Sequence, residues 1–196
     1  SRTRLVEATQ DLLWEQGYSA TSPKDIMRRS GAGQGSMYHH FTNKQELAVE
    51  ALERSALSMC HDAEKLLAAD GSACEIATAY LRRQRDVLKG CRMGRMTFDA
   101  DVLNTPELIE PVKRTFVWLL EALTVLFERG RDQGEFAADI DARNLASLVV
   151  ATVQGGYVLA RATRDTDAFD AAVEGAAALL RKATVPLTTE VSDHSE

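Results

Sequence analysis

The sequence has little of what would define a disulfide framework, a zinc site or a membrane span. Cys60, Cys74 and Cys91 are odd in number and lack C-x-x-C spacing, so we expect reduced thiols. No run approaches about eighteen continuous apolar residues, and the N-terminal residues lack the apolar core of a signal peptide. We therefore expect a cytoplasmic chain with no membrane partner, no cofactor and no metal.

Motifs typical of enzymes are also missing. We find no phosphate loop G-x-x-x-x-G-K, no nucleophile elbow G-x-S-x-G and no zinc-binding H-E-x-x-H. Neither His39 nor His40 has a partner at the helical spacing of a zinc site. These absences predict that the chain is not an enzyme; a helical enzyme or a pure ligand carrier is the competing class.

Helix-start and turn signals are concentrated between residues 22 and 46. Ser22 and Asp25 have the S-x-x-D form of a capping box, with proline at the first helical position. Glycines at 31 and 33 predict a sharp turn, and Asn43 with Glu46 predicts the cap of a long third helix. Two short helices joined by such a turn form a helix-turn-helix, whose second helix can enter the DNA major groove.

At these residues the chain resembles the tetracycline-repressor (TetR) family of bacterial transcriptional regulators. The resemblance covers residues 4–47 and departs from the family pattern at Met27 and at Ala32 with Gly33. It is carried by Gly17, Tyr18, Thr21, Ser22, Asp25, Ile26, Ser30, Gly31, Ala32, Gly35, Ser36, Met37, Tyr38, His39, His40, Phe41, Lys44 and Leu47.

The resemblance implies which side chains contact DNA. Gln34 can read an adenine edge in a bidentate way, and Tyr38 and the two lysines suit phosphates. Tyr38 could also be a plain surface aromatic, and Arg28 and Arg29 are a solvated face or distal phosphate contacts. The predicted DNA-binding residues are Ser22, Lys24, Gln34, Gly35, Ser36, Tyr38, His39, His40 and Lys44.

The charge distribution is compatible with this interpretation despite a net charge of −6. Residues 1–47 carry six basic and five acidic side chains, so the acidic excess lies entirely in the rest of the chain. Phosphate attraction needs a local basic face, and an acidic body limits nonspecific binding.

Apolar spacing predicts an all-α fold, with an N-terminal three-helix helix-turn-helix DNA-binding domain and a C-terminal helical ligand-binding and dimerisation domain. We place the DNA-binding domain at 1–47, the effector-binding and dimerisation domain at 48–185, and a disordered tail at 186–196. About nine helices are expected. The later ones are predicted at 44–69, 72–89, 97–103, 106–133 and 142–164, and a last one, capped by Asp167, ends at about residue 183. Asp141 is the predicted cap of the helix at 142–164, and residues 90–95 are a predicted connector.

The last two long helices carry more small and apolar surface than one protomer needs, which predicts a homodimer built on a four-helix bundle. The family resemblance implies the same arrangement, and the alternative is a fully buried helix pair in a monomer. The predicted interface residues are Leu145, Leu148, Val149, Thr152, Gly156, Phe169, Ala172, Val173, Ala176 and Leu180.

The family also implies a small-molecule pocket in the second domain. Met and aromatic side chains make adaptable apolar walls, although at helical spacing they are also ordinary core. The predicted ligand-binding residues are Met59, Tyr80, Arg83, Met93, Met96, Phe98, Phe116, Trp118, Leu119, Leu123 and Tyr157.

Together these features predict a dimeric regulator, most simply a repressor released from a palindromic double-stranded operator by an unknown small-molecule effector. Cys91 supports an alternative within the same fold. It lies among Lys89, Arg92 and Arg95, where positive charge favours a thiolate that would react with electrophiles or oxidants. A buried, inert thiol is the competing interpretation. An architectural DNA-binding protein without an effector is a further class.

Overall fold

The structure, a computed structural model, describes residues 2–186, so the predicted tail lies outside the described residues except for residue 186. Within residues 2–186 the regular structure is helical, apart from one isolated bridge between Phe136 and Thr184. The helices are α1 (Arg2–Gln16), α2 (Pro23–Ser30), α3 (Gln34–His40), α4 (Lys44–Leu67), α5 (Ala73–Arg82), α6 (Arg92–Met96), α7 (Ala100–Asn104), α8 (Pro106–Asp132), α9 (Ala142–Thr163) and α10 (Asp167–Ala183).

The first apolar core closes α1, α2 and α3 against the start of α4. It contains Ile26, Met37, Phe41 and Leu47, all at most 2% exposed. The same core continues along α4 and takes in residues of α6, α7 and the start of α8. Because a three-helix core of this size is marginal alone, this continuity joins the N-terminal helices to the rest of the chain.

The second core is formed by α5, α8, α9 and α10 together with the far end of α4. Tyr80, Leu123 and Phe127 are among its fully buried side chains. Helices α9 and α10 approach closely at Gly156, where an added Cβ would lie 2.7 Å from Cδ2 of Phe169. A side chain at this position would force the helices apart, so glycine is required here by packing.

The connector between α5 and α8 differs most from prediction. The helix predicted to reach residue 89 ends at Arg82, because the guanidinium of Arg85 folds back and donates to the carbonyls of Tyr80 and Leu81. These bonds satisfy acceptors at the helix end that would otherwise have no partner. The predicted connector 90–95 contains α6, whose first turn is capped by a 3.2 Å bond from the Gly94 N–H to the Cys91 thiol.

Two smaller predictions also change. The described chain has ten helices rather than nine, since α6 is additional and the helix predicted at 97–103 is α7. The predicted cap Asp167 is instead the first residue of α10, and the Asp165 carboxylate accepts from its backbone N–H at 3.1 Å. Asp141 caps α9 as predicted.

Candidate nucleic-acid interface and effector cavities

The start of α2 is fixed by the predicted capping box. The Asp25 N–H donates to the Ser22 hydroxyl at 3.2 Å, and the Ser22 N–H donates to the Asp25 carboxylate at 3.1 Å. Hydrogen bonds from the Ser22 hydroxyl and backbone lower the pKa of Asp25, so its carboxylate stays ionised at the helix N-terminus. A phosphate contact by Ser22 would have to share this hydroxyl.

The turn between α2 and α3 depends on Gly31, which has φ +66° in the left-handed region. The Ser30 hydroxyl supports the turn by accepting from the Ala32 N–H at 3.2 Å. Gly33 precedes α3 and supplies no side chain to cap it. The departure from the family pattern at residue 33 therefore leaves the first turn of α3 without a side-chain cap.

Helix α3 has one side buried in the core and one side exposed. Met37 is fully buried, whereas Gln34, Gly35, Tyr38 and His39 are exposed, Tyr38 by 49%. A Cβ built on Gly35 would meet no atom within 4 Å, so the backbone there is open to a close neighbour. Of the other predicted contacts, Ser36 and His40 are half-buried and Lys24 is exposed on α2.

Lys44 has a second role that the sequence did not show. Its Nζ donates to the carbonyls of Tyr18 and Thr21 at 3.1 and 3.0 Å and lies 3.9 Å from the Tyr18 ring centroid. Burial lowers the pKa of Lys44, although Asp101 and Asp99 oppose that shift. Two of the three ammonium donors therefore hold α4 against the α1–α2 turn, and one is left for a phosphate.

The predicted cap of α4 is present with one change. The Asn43 side chain accepts from the Glu46 N–H at 2.9 Å. The Glu46 carboxylate, however, accepts from the N–H of Thr42 at 2.7 Å rather than from that of Asn43. The Glu46 carboxylate thus holds the backbone of Thr42, the residue before the cap.

Comparison with protein families agrees with this geometry. Residues 5–51 match the family described as "Bacterial regulatory proteins, tetR family", and residues 71–176 match "Tetracyclin repressor-like, C-terminal domain". The chain belongs to the TetR family of transcriptional regulators. The family resemblance and the all-α fold expected from the sequence are confirmed.

Related proteins are also named as regulators over nearly the whole of this TetR-family chain. It is 24% identical to the uncharacterised HTH-type transcriptional regulator YxaF of Bacillus subtilis, over 93% of this chain and 96% of that protein. It is 22% identical to the HTH-type transcriptional repressor DhaR of Mycobacterium sp., over 99% and 97% of the two chains.

Solved structures share the fold. A TetR regulator from Chloroflexus aurantiacus has a TM-score of 0.83 at 26% identity and covers 93% of this chain and 95% of its own. The reduced form of E. coli NemR has a TM-score of 0.78 at 19% identity and covers 94% and 97% of the two chains.

The outer face of α9 and α10 differs from the interface predicted for this TetR-family regulator. Val149, Gly156, Phe169, Val173, Ala176 and Leu180 are buried within their own protomer, where they join α9 to α10 and α8. Leu145, Thr152 and Ala172 are half-buried, and only Leu148 is exposed. The prediction named mainly the inner face because a single sequence does not distinguish the two apolar sides of such a helix.

The exposed side of these helices is apolar as well, and we call it the apolar stripe: Leu148, Ala151, Gly155 and Leu159 on α9 with Ala171, Gly175 and Leu179 on α10. Its three leucines are 38%, 51% and 58% exposed. By length and composition α9 would also pass as a membrane-spanning helix, a test that core helices of soluble proteins pass too. A patch of this kind on a folded protomer indicates an interaction surface.

Three adjoining cavities surround α6. The arginine cavity, about 360 Å³, lies between α4, residues 83–92 and Tyr157. The junction cavity, about 390 Å³, lies between the end of α1, residues 95–99 and α9. A small space of about 40 Å³ shares walls with both.

Only part of the predicted ligand set borders these cavities. Met59, Arg83 and Tyr157 line the arginine cavity, and Phe98, 78% exposed, lines the junction cavity. Seven others lie in or against the two cores and line none of the five main cavities formed by residues 2–186: Tyr80, Met93, Met96, Phe116, Trp118, Leu119 and Leu123. For these seven, packing in the core, the alternative left open above, describes their surroundings.

Most of the polar cavity wall lies outside the predicted ligand-binding residues. Arg85, Arg92 and Asp86 line the arginine cavity, and Arg95 and Arg161 line the junction cavity. The arginine-rich run at residues 82–85 was the available signal. The sequence predicts a helix over this run, but α5 ends at Arg82, and residues 83–85 line the arginine cavity.

Cys91 is half-buried between the arginine cavity and the small space beside it. Its thiol accepts from the Gly94 N–H, and its sulfur lies 4.0 Å from that of Met59. Burial raises the pKa of the other two thiols, Cys60 and Cys74. Of the three cysteines, all within residues 2–186, Cys91 is the one that borders both spaces.

Proposed function

We propose that this TetR-family regulator is a cytoplasmic homodimer that represses transcription at a palindromic operator and leaves it when a small molecule binds in the body. The observation that carries the DNA-binding part is the division of α3 into a buried side and an exposed polar side. Met37 anchors the helix, and Gln34, Tyr38 and His39 are exposed for the major groove.

In this proposal the side chains divide into two groups. Gln34 and Ser36 read base edges, and the open backbone at Gly35 lets α3 enter the groove closely. Lys24, Tyr38, His39, His40 and the remaining donor of Lys44 hold phosphates, with Ser22 sharing its capping hydroxyl.

We infer that a second copy of the chain covers the apolar stripe, in place of the inner-face residues predicted from sequence. Its glycines at 155 and 175 allow close approach between helices, with open space above both. Pairing the same stripe about a two-fold axis gives a four-helix bundle. The two DNA-binding domains of the dimer then face half-sites about 34–36 Å apart, which is one turn of DNA.

Release by an effector is supported by the contacts between the cavity walls and the DNA-binding helices. The Ser19 N–H donates to Asp99, a wall of the junction cavity, at 2.8 Å, and Arg92 lies 3.4 Å from the Asp11 carboxylate on α1. A ligand that prefers a different arrangement of these walls weakens operator binding by that preference and no more.

Selection from random duplex DNA tests the proposal. The full-length protein is incubated with a random library, bound duplexes are amplified over successive rounds, and the product is sequenced. We expect an inverted repeat with half-site centres about one helical turn apart. Enrichment of no sequence, or of a single half-site without its repeat, would contradict the dimeric operator-reading protein.

A thiol-based repressor of the same fold is the second candidate, because Cys91 borders two cavities. Its test compares release of the selected operator by an alkylating agent in wild-type protein and in Cys91→Ser. Equal release in both proteins would end this candidate and leave the ligand-responsive repressor in place.

A further inference from the structure

We propose that the arginine cavity binds an organic anion, a small molecule with an acidic group on a mainly apolar body, and that this class includes the effector. The inference rests on the proposed function only in naming the ligand as effector. The binding itself stands on the cavity's charge, on the unpaired Nε donor of Arg85 in its wall and on its apolar side.

Positive charge exceeds negative charge on the walls of the cavities around α6. Arg83, Arg85 and Arg92 line the arginine cavity against Asp62 and Asp86, both of which are exposed. The adjoining walls add Arg95 and Arg161 against one carboxylate, Asp99, which accepts hydrogen bonds from Ser19. Of these five arginines, only Arg92 forms an ion pair within residues 2–186.

Unpaired donors point to the same region. In residues 2–186 the buried side-chain nitrogens and oxygens without a hydrogen-bond partner are Nε of Arg85 and Nε of Arg95. Nη1 and Nη2 of Arg85 donate to carbonyls at the end of α5, so the guanidinium is held in place while its Nε has no partner. A buried donor without an acceptor is costly, and an anion supplies acceptor and charge together.

Neither Arg85 nor Arg95 forms an ion pair with an acidic side chain within residues 2–186. Burial lowers the pKa of Arg85, and burial together with the nearby Arg161 lowers that of Arg95 although Asp99 opposes the shift, in line with charge held partly away from water. Arginine forms planar, paired contacts with carboxylate, sulfate or phosphate groups.

The apolar body of the proposed ligand is inferred from the apolar part of the cavity wall. Met59 and Leu66 of α4 and the ring of Tyr157 face the same cavity. A volume of about 360 Å³ is at the lower end of ordinary ligand pockets and suits a molecule of two or three rings. A free inorganic anion would leave this side of the cavity unfilled.

A matched pair of fluorescent probes tests the proposal. Anilinonaphthalene sulfonate and phenylnaphthylamine share their ring system and differ by the acidic group, so their affinity difference isolates the charge. We expect the full-length protein to bind the sulfonate at least about tenfold more tightly, the difference that one charged hydrogen bond makes. Equal affinities would overturn the proposal.

Variants locate the site. Arg83→Gln and Arg85→Gln should each weaken binding of the sulfonate about tenfold and change binding of the neutral probe less than about twofold. Arg129→Gln, an exposed change on α8, should alter neither. Because Arg85 also caps α5, its variant is checked by circular dichroism; if it unfolds, Arg83→Gln alone decides. Unchanged affinity in a folded variant would overturn the site.

Two further arms separate the remaining outcomes. Sodium phosphate should displace the sulfonate no better than sodium chloride at equal ionic strength; stronger displacement would overturn the requirement for an apolar body. Operator binding is measured in parallel without probe. If the protein binds its operator but does not bind the sulfonate, this inference alone is rejected. If the protein binds the sulfonate but no operator sequence can be selected, the proposed function alone is rejected.

Discussion

The indole Nε1 of Trp14 donates a hydrogen bond to the carbonyl oxygen of Gly90 at 2.9 Å. Trp14 belongs to α1 of the DNA-binding part, and Gly90 is a wall of the arginine cavity. Lys89 and Arg92 lie over the same indole, 3.9 and 4.1 Å from the ring centroid. The loop that closes the cavity is thereby fastened to the first helix, so movement of one requires adjustment of the other.

Trp14→Phe should lower the free energy of unfolding by about 1 kcal/mol, because it removes the donor to Gly90 and keeps an aromatic face for the two cations. Urea denaturation measures the change. Trp118→Phe is the control: Trp118 is half-buried like Trp14, and its indole makes no hydrogen bond within residues 2–186. Equal losses in the two variants would show that the hydrogen bond contributes nothing of its own.

Gln34→Ala should weaken binding to the selected operator by about 1–3 kcal/mol and leave binding to random duplex nearly unchanged, because only a base-edge contact distinguishes sequences. Mobility-shift titrations on both DNAs measure this. Lys24→Ala is the companion variant and should weaken both DNAs alike while reducing the salt dependence, as a phosphate contact does. Equal losses of affinity for both DNAs in Gln34→Ala would show that Gln34 does not contribute to sequence specificity.

Leu159→Glu should separate the dimer. It places a charge in the apolar stripe twice about the two-fold axis, and like charges facing each other cost several kcal/mol, or about a hundredfold or more in the dimer dissociation constant. Analytical ultracentrifugation measures the shift. Leu57→Glu, at an exposed leucine on α4, is the control and should stay dimeric. A Leu159→Glu protein that remains dimeric would show that another surface forms the contact.

Asp99→Asn should make the free energy of unfolding depend less on pH in the acid range. Burial raises the pKa of Asp99, but hydrogen bonds from Ser19 and from the backbone at residues 101 and 102 outweigh it and lower the pKa overall. The stabilisation is therefore complete above the unfolded pKa of about 3.9 and is lost as pH falls through the folded value.

We expect wild-type protein to be more stable than Asp99→Asn at about pH 7, and the difference to shrink toward zero by about pH 2. Urea unfolding across that range measures it. Asp139→Asn, at an exposed carboxylate, should run parallel to wild type throughout. A constant difference between wild type and Asp99→Asn would show that ionisation of Asp99 does not contribute.

The local signals gave much of the DNA-binding part correctly. The capping box at Ser22 and the glycine at 31 each act through neighbours a few residues away, so α2 begins and ends where these signals predict. The end of α5 could not be obtained this way, because it depends on Arg85 folding back onto the carbonyls of Tyr80 and Leu81.

The sequence alone thus determined the helical class, the family and the exposed polar residues of α3, since these follow from short-range hydrogen bonding and from side-chain periodicity. Only the tertiary structure decided which apolar side of α9 and α10 faces inward, and which arginines gather around α6. Both depend on contacts between residues far apart in the chain, and helical periodicity shows that a side is apolar without showing what covers it.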